Sequence, residues 1–187
     1  MKRTDRAGAV LASALLLATG GLLSAAGDAA AGGPPSRAVP AHAARTQVAA
    51  CTYSQLIPDG AQRVGADRLR ITVVNEGPKP CTLRGFPTVA VAGLGSPEKN
   101  KPLTVGHQGD ARLVQLMVGG RAATQITFTP VLGEAEGYCA SGATPTVAPS
   151  IVLGVAGGKL QLGLEDGGDV ALCGTTVRAT AFRGSPA

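Results

Sequence analysis

The chain has 187 residues, of which 44% are hydrophobic but only 3% are aromatic, and its formal net charge is +5. This length allows one domain with appended segments, and the core of that domain must be built mainly from aliphatic side chains. The basic residues are scattered along the sequence without interleaved aromatic side chains, which argues against nucleic-acid binding and predicts an ordinary solvated surface.

Residues 1–26 have the pattern of a secretory signal peptide. Three basic residues flank the start of an apolar stretch that runs from Ala7 to Leu23, and small residues follow it. This stretch is short for a membrane-spanning helix of roughly 20 residues, so cleavage is favoured over a retained anchor, with a mature N-terminus near Gly27 or Gly32. The leader holds three basic residues and one acidic residue, so its removal lowers the net charge from +5 to +3. Residues 27–50 then form a predicted Ala/Gly/Pro-rich flexible tether.

Alternating apolar residues predict short β-strands in the rest of the chain. The first is expected at 52–57 and ends at Pro58-Asp59-Gly60, and the next two are expected at 68–75 and 86–92. Residues 93–110 have little periodicity and are expected to form a long exposed loop, with at most a short edge strand at 103–105.

Glycine pairs predict two hairpins in the second half of the chain, because tight hairpin turns need positive φ angles. Gly119-Gly120 separates β-patterned residues 112–118 from 121–129, and Gly157-Gly158 separates 151–155 from 160–164. Two further strands are expected at 170–173 and 177–182. Seven to nine short strands predict an all-β fold, an antiparallel immunoglobulin-like β-sandwich that forms one domain over residues 51–187.

One cluster of this sequence resembles a known family. The residues Asn75-x-Gly77 and Pro80-Cys81-x-Leu83-x-Gly85-Phe86-Pro87 are similar to the pattern of the secreted actinobacterial family called domain of unknown function 4232. Weaker similarity continues through 116–128, Cys139, 172–174 and 177–182, so that it covers about 51–182. Many members are lipoproteins or carry one transmembrane helix, and no activity, cofactor or catalytic residue is established for the family. The resemblance therefore implies fold and location and leaves the function open.

Four cysteines remain after the leader, at Cys51, Cys81, Cys139 and Cys173. Their spacing fits no CxxC metal site, and an exported protein permits disulfides. Three pairings are possible. The pairing of Cys51 with Cys81 and of Cys139 with Cys173 closes the shortest loops and agrees with the family resemblance. Lipidation of Cys51 is not expected, since charged residues and prolines separate it from the apolar leader.

Few residues suggest catalysis. His107 is the only histidine of the predicted domain, and as a catalytic base it would need a nucleophile and an orienting carboxylate. Ser96 and Asp110 are near in sequence but lack a GxSxG context, so a solvated histidine is favoured.

Two acidic groups and the glycine pairs also have structural explanations. Glu134-x-Glu136 lies in a Gly-rich connection with no sign of a sugar-sized cleft. The acidic residues at 165–169 lack the ligand alternation of a calcium loop, and no glycine pair opens a helix, as a phosphate site requires. No metal or cofactor is expected.

The Asn75–Pro87 cluster has two interpretations. Its Gly, Pro and Cys residues shape the backbone, which favours a structural role in which Phe86-Pro87 closes one end of the sandwich. A binding lip is the alternative.

The expected function is therefore that of a secreted, non-enzymatic extracellular or cell-envelope domain that binds a protein or a glycan. This step is an analogy at the level of the fold. The alternative is a secreted peptidase inhibitor that presents the 93–110 loop, and a hydrolase that uses His107 ranks last. No specific ligand follows from the sequence, and the candidate binding residues of the loop are Lys99, Asn100, Lys101 and His107.

Overall fold

The computed structural model describes residues 47–95, 97–133 and 137–186. Within these ranges the chain forms thirteen strands, one 3-10 turn at Tyr53–Gln55 and no α-helix. The strands are β1 (Leu56–Gly65), β2 (Arg68–Asn75), β3 (Cys81–Leu83), β4 (Thr88–Ala92), β5 (Asn100–Pro102), β6 (Thr104–Gln108), β7 (Val114–Leu116), β8 (Arg121–Pro130), β9 (Pro145–Ala148), β10 (Ser150–Val155), β11 (Gly158–Leu162), β12 (Val170–Thr180) and β13 (Arg183–Ser185). The predicted signal peptide and residues 27–46 of the predicted tether lie outside the described residues.

The strands form two main sheets and one small one. The large sheet has the order β1-β2-β8-β12-β6, with β13 pairing to β8 and β9 pairing to β12. The second sheet has the order β11-β10-β4-β5, and β3 pairs with β7 in the small sheet. None of the helical structure in the described ranges is long and apolar enough to cross a bilayer.

One buried cluster joins the two main sheets. In β2, Leu69, Ile71 and Val73 are fully buried, whereas Arg70 and Thr72, which alternate with them, are partly exposed. The same cluster contains Ile126 of β8 and Leu153 of β10. The period of two in the sequence therefore gives the central strands β2 and β8 of the large sheet one buried face and leaves the opposite face open to solvent over most of their length.

The all-β fold class is confirmed, because nearly all regular structure is strand and most strand pairs are antiparallel. One pair departs from the expected antiparallel arrangement: β6 runs parallel to β12. The strand count exceeds seven to nine because short strands such as β3, β9 and β13 lack a clear alternating pattern.

Both predicted disulfides are present. Cys51 is bonded to Cys81 and Cys139 to Cys173, with no free cysteine in the described residues. The first bond fixes the entry of the chain into the fold, where Cys51 N donates to Thr82 O and Thr82 N donates to Ala49 O. Residues 47–50 of the predicted tether are therefore among the described residues, and Ala49 is hydrogen-bonded to β3.

The predicted first strand is wrong in position. Residues 53–55 form the 3-10 turn, and β1 continues through Pro58-Asp59-Gly60 instead of ending there. Pro58 pairs with Val73 and Gly60 with Thr72, so Asp59 is the extra residue of a β-bulge. A bulge on an edge strand tolerates proline, because its missing N–H is not needed by a neighbour on the open side.

One of the two predicted hairpins is wrong. Gly119-Gly120 does form a turn, but β7 before it pairs with β3, whereas β8 after it pairs with β2. The β10–β11 hairpin is confirmed, with its tight turn at Ala156-Gly157, where both residues have positive φ. The strands expected at 170–173 and 177–182 are mostly one strand, β12, interrupted by a register shift.

The predicted 93–110 loop is also wrong over nearly half of its length. Residues 100–102 pair with β4 as the edge strand β5, and residues 104–108 pair with β12 as β6. Pro102 and Gly106 interrupt any alternation of apolar residues, which is why these edge strands escape a periodicity search.

Candidate functional site

The four binding candidates of the predicted loop are divided between two sheets. Asn100 and Lys101 lie in β5 and Lys99 precedes it, whereas His107 lies in β6. Lys101 Nζ donates to Thr146 Oγ1 at 3.3 Å. The structure therefore does not bring these four residues into one loop surface.

His107 stacks on Phe86. The two rings are nearly parallel, with centroids 4.0 Å apart, and the histidine is otherwise exposed. In the described part of the chain no side-chain hydrogen bond links His107 to a carboxylate or a hydroxyl. Ser96, the nucleophile considered for it, lies outside the described residues. Phe86 is partly buried, and one face of its ring is covered by His107.

The other acidic candidates do not form a site in what the structure describes. Glu134 and Glu136 lie outside the described residues. Asp166 accepts a hydrogen bond from Arg63 Nε at 2.9 Å and another from Gly168 N at 2.9 Å. Among the described residues, no cluster of three or more His, Cys, Asp or Glu side chains could hold a metal ion.

Asn75 has a structural role. Its side chain is fully buried, and Nδ2 donates to the carbonyl oxygens of Lys79, Leu116 and Met117 at 3.0, 3.2 and 3.2 Å. Oδ1 accepts from Gly77 N at 3.0 Å. All polar atoms of this side chain are therefore used by the protein's own backbone.

The exposed face of the large sheet carries five arginines. Arg121 of β8 is paired with Asp59, and we call the other four the cationic face: Arg68 and Arg70 of β2, Arg178 of β12 and Arg183 of β13. The register explains why they share one face. Arg68 and Arg178 both pair with Thr127 from opposite sides, Arg70 pairs with Gln125, and Arg183 pairs with Ala123. Residues opposite one another in antiparallel strands point to the same side, and here the other side is the core.

Three acidic residues of the described chain pair with cations outside the cationic face. Asp59 pairs with Arg121, Asp166 with Arg63 and Glu98 with Lys159. Of the four arginines of the cationic face, only Arg68 forms an ion pair with a described residue, with Asp67 at 3.9 Å. Arg70, Arg178 and Arg183 make no ion pair with any described residue, so their charge is available to a ligand.

Two arginines of the cationic face lie close to glycines of β6 and its end. Arg178 Cγ lies 3.7 Å from where a Cβ of Gly106 would be, and Arg183 Nη2 lies 3.7 Å from the corresponding point at Gly109. Both distances are ordinary van der Waals contacts, so the two arginine side chains lie beside the backbone of this edge strand and of the residues that follow it.

A groove of about 290 Å³ crosses the cationic face. Arg70 and Arg183 line it together with small and polar residues: Ala123, Thr124, Gln125, Thr180 and Gly184. Arg70 Nη2 donates to Ser185 Oγ at 2.9 Å, which holds the guanidinium across the sheet from β2 toward β13. The groove presents mainly hydrogen-bond donors and positive charge.

A second cleft, of about 330 Å³, lies between the Phe86 corner and the β10–β11 hairpin. It is lined largely by apolar side chains and by the glycine-rich turn at 154–158, with Arg84 and Lys159 at its edges. Few polar groups converge in it, so the chemistry of this cleft is less defined than that of the cationic face.

Sequence reasoning missed the cationic face. The alternation Arg68-Leu69-Arg70-Ile71 does indicate two arginines on the solvent side of one strand. Nothing in the sequence indicates that Arg178 and Arg183 lie beside them, because that depends on strand order and register. The basic residues are therefore scattered along the sequence, but four of them lie on one face of the folded sheet.

Comparison with known families identifies a match over most of the chain. A family described as "Domain of unknown function (DUF4232)" matches residues 51–183. No curated protein and no solved structure is significantly similar to the chain. The matched range begins at the first disulfide cysteine and ends at an arginine of the cationic face.

Proposed function

The chain belongs to DUF4232, a domain family of unknown function, and we propose that its domain is a non-enzymatic binding module that holds an anionic extracellular partner on the cationic face. A single observation carries the proposal: three arginines that make no ion pair with a described residue share one face of a rigid sheet. Hydrogen bonds from a guanidinium to an oxyanion contribute about 1.5–3 kcal/mol each. A few such contacts are enough for useful affinity.

The rigidity of the sheet supports this role. Arg70 and Arg178 lie on central strands, each paired on both sides. The ligand therefore does not have to order the backbone when it binds, and this keeps the entropic cost of association low.

The two disulfides agree with a protein that functions in an oxidising compartment, since such bonds persist mainly outside the cytosol. With the signal peptide predicted from the sequence, they support our proposal that the domain is secreted and remains in the medium or at the cell wall. We do not pursue the inhibitor alternative, because residues 100–108 of its presumed inhibitory loop are largely in strands β5 and β6.

The proposal is tested by the retention of the oxidised protein on immobilised anionic polymers as the salt concentration is raised. We expect the wild-type protein to be retained at low salt and to elute as salt screens the charges. The Arg178→Ala/Arg183→Ala variant should bind at least about tenfold more weakly, as expected for the loss of charge-assisted contacts.

The matched control is Lys79→Ala/Arg84→Ala, which removes the same charge from exposed positions on either side of β3, outside the large sheet. It should bind nearly as well as the wild type. Equal losses in the two double variants would mean that only net charge matters, and the proposed site would be rejected.

The non-enzymatic part of the proposal needs its own experiment. A screen of esterase, peptidase and glycosidase substrates should show no turnover that depends on the domain. Turnover abolished by His107→Ala or by Glu136→Gln would contradict this part of the proposal and identify the residue involved.

A further inference from the structure

The groove between Arg70 and Arg183 has the composition of a site for one sugar unit. Its floor is formed by Ala123 and Gly184, whose small size leaves room above the sheet. Its volume of about 290 Å³ is at the lower end of the range for small-molecule pockets. A single ring fits such a space, whereas a thin extended chain would leave much of it empty.

The polar groups around the groove are held in fixed positions. Thr180 Oγ1 accepts from Gln125 N at 2.9 Å, and Thr124 Oγ1 donates to Thr180 O at 2.7 Å. The two threonine hydroxyls are 3.5 Å apart, too far for a good hydrogen bond. Thr180 therefore keeps its own proton for a ligand. Ser185, which accepts from Arg70, does the same.

We infer that this groove binds the carboxylate and the neighbouring hydroxyls of an acidic sugar within a polysaccharide, an inference that rests on the proposed function. The forked guanidinium of Arg70 matches a planar carboxylate. The hydroxyls of Thr180 and Ser185 and the amide of Gln125 match sugar hydroxyls. Arg68 and Arg178 lie one row further along the sheet and contact the next charged unit of the polymer.

Other polymers fit this groove less well. A single-stranded nucleic acid would need aromatic platforms for its bases, and no aromatic residue lines the groove. A neutral glycan would leave the charge of two arginines unmatched. A phosphodiester chain without rings satisfies the arginines but not the hydroxyl and amide groups between them. A protein partner would favour aromatic anchors, which are absent from the residues lining the groove.

The test measures the binding of an oligomer of galacturonic acid to the full, oxidised chain by calorimetry. The central variant is Ala123→Met, which fills the groove without changing any charge. We expect it to weaken binding by about tenfold or more. Ala171→Met is the matched control, since Ala171 is a partly exposed alanine of the same sheet, on β12 beside β9, and it should leave the affinity unchanged.

Two further measurements distinguish the chemistry. Methyl esterification of the oligomer removes its charge but keeps its rings, and it should reduce binding by more than tenfold. Arg70→Lys keeps the positive charge but loses the fork, so it should also weaken binding, and this variant decides the question if Ala123→Met does not fold. Polyphosphate should bind to the cationic face with little dependence on Ala123.

Each other result contradicts a defined part of the inference. Equal affinity of Ala123→Met and the wild type for the oligomer would show that the groove is not the binding site. The proposed function would still stand if Arg178→Ala/Arg183→Ala weakens retention on the anionic polymers. If polyphosphate or DNA binds more tightly than the oligomer, and if Ala123→Met weakens that binding, the groove is a phosphate site and the assignment to an acidic sugar is wrong. No binding of any anionic polymer by the wild type would reject the proposed function itself.

Discussion

At the scale of single residues, Asn75 shows how one buried amide can hold two turns together. Three carbonyl oxygens, from residues 79, 116 and 117, compete for its two N–H protons. The backbone of Asn75 also pairs with the second turn, because Gly119 N donates to its carbonyl oxygen and its own N donates to Gly120 O. Glutamine is the only other residue whose side chain carries an amide with the same donors and acceptor, and its side chain is longer.

The Asn75→Ala variant should therefore be destabilised by about 3–5 kcal/mol, because buried backbone groups that lose their partner cost about 1–3 kcal/mol each. The free energy of unfolding from urea titration measures the effect. Gln115→Ala is the control, since Gln115 is exposed on β7 and its side chain contacts only the sulfur of Met117. That change should stay within about 0.5 kcal/mol, and a similar value for Asn75→Ala would disprove the assigned role.

The Asp166 carboxyl makes the free energy of unfolding depend on pH in the acidic range. The hydrogen bond from Arg63 lowers the pKa of the Asp166 carboxyl below its ordinary value of 3.8, and the Gly168 N–H lowers it further. A carboxyl whose pKa is lower in the folded state stabilises the fold above its unfolded pKa, and this contribution is lost as the pH falls through the folded pKa. The affected range is therefore below about pH 4.

Asp166→Asn should remove this contribution, so that the variant loses less stability than the wild type when the pH is lowered from 5 to 2.5. The effect is small because the carboxyl is exposed and solvent screens the pair. Melting temperatures measured over this range provide the test. Parallel curves for the two proteins would show that the Arg63–Asp166 pair does not contribute to the acid response.

At the scale of elements, the Cys51–Cys81 bond fastens the entering chain to β3. Ala50 forms a bridge with Thr82 beside the disulfide. From there the chain passes through the 3-10 turn, where Tyr53 Oη donates to Lys159 O at 3.0 Å. The turn and the start of β1 thus connect the two main sheets at this end of the sandwich.

The Cys51→Ser/Cys81→Ser variant should lose about 3–4 kcal/mol of stability, in line with the closure of a 30-residue loop. Guanidinium denaturation of the oxidised proteins measures the loss. The Cys139–Cys173 bond closes a loop of similar size, so the Cys139→Ser/Cys173→Ser variant should lose a similar amount of stability. A much larger loss in the first variant would show that the bond also contributes native-state contacts.

At the scale of the whole molecule, local patterns predict which residues are buried, but they do not predict which strands are neighbours. The alternation in 68–73 correctly assigns the core side of β2, and the pairing of the cysteines follows the family resemblance and the loop lengths. Strand order depends on contacts between distant parts of the chain. Arg70 and Ser185 illustrate this, because they are hydrogen-bonded although they lie 115 positions apart. The cationic face could therefore not be predicted from the sequence, even though each arginine is visible there.

The parallel pairing of β6 with β12 brings together residues that are far apart in sequence, such as Thr104 and Thr176. Closing a long loop costs conformational entropy, and topologies rich in such contacts fold slowly. The Cys139–Cys173 bond shortens the loop that this pairing closes. The path from Thr104 to Thr176 that crosses the bond is roughly half as long as the path along the chain. Halving the loop saves about 0.6 kcal/mol of closure entropy.

The second disulfide thus lowers the entropic barrier to adding an edge strand in which it takes no part, and it does so on the folding pathway rather than in the finished fold. During refolding of Cys139→Ser/Cys173→Ser, amide protons of β6 should become protected from hydrogen exchange later than in the wild type. The Cys51–Cys81 loop does not include either strand, so its loss should leave the order of protection unchanged. Because Arg178 lies beside Gly106 of β6, the docking of β6 also completes the surroundings of one arginine of the cationic face.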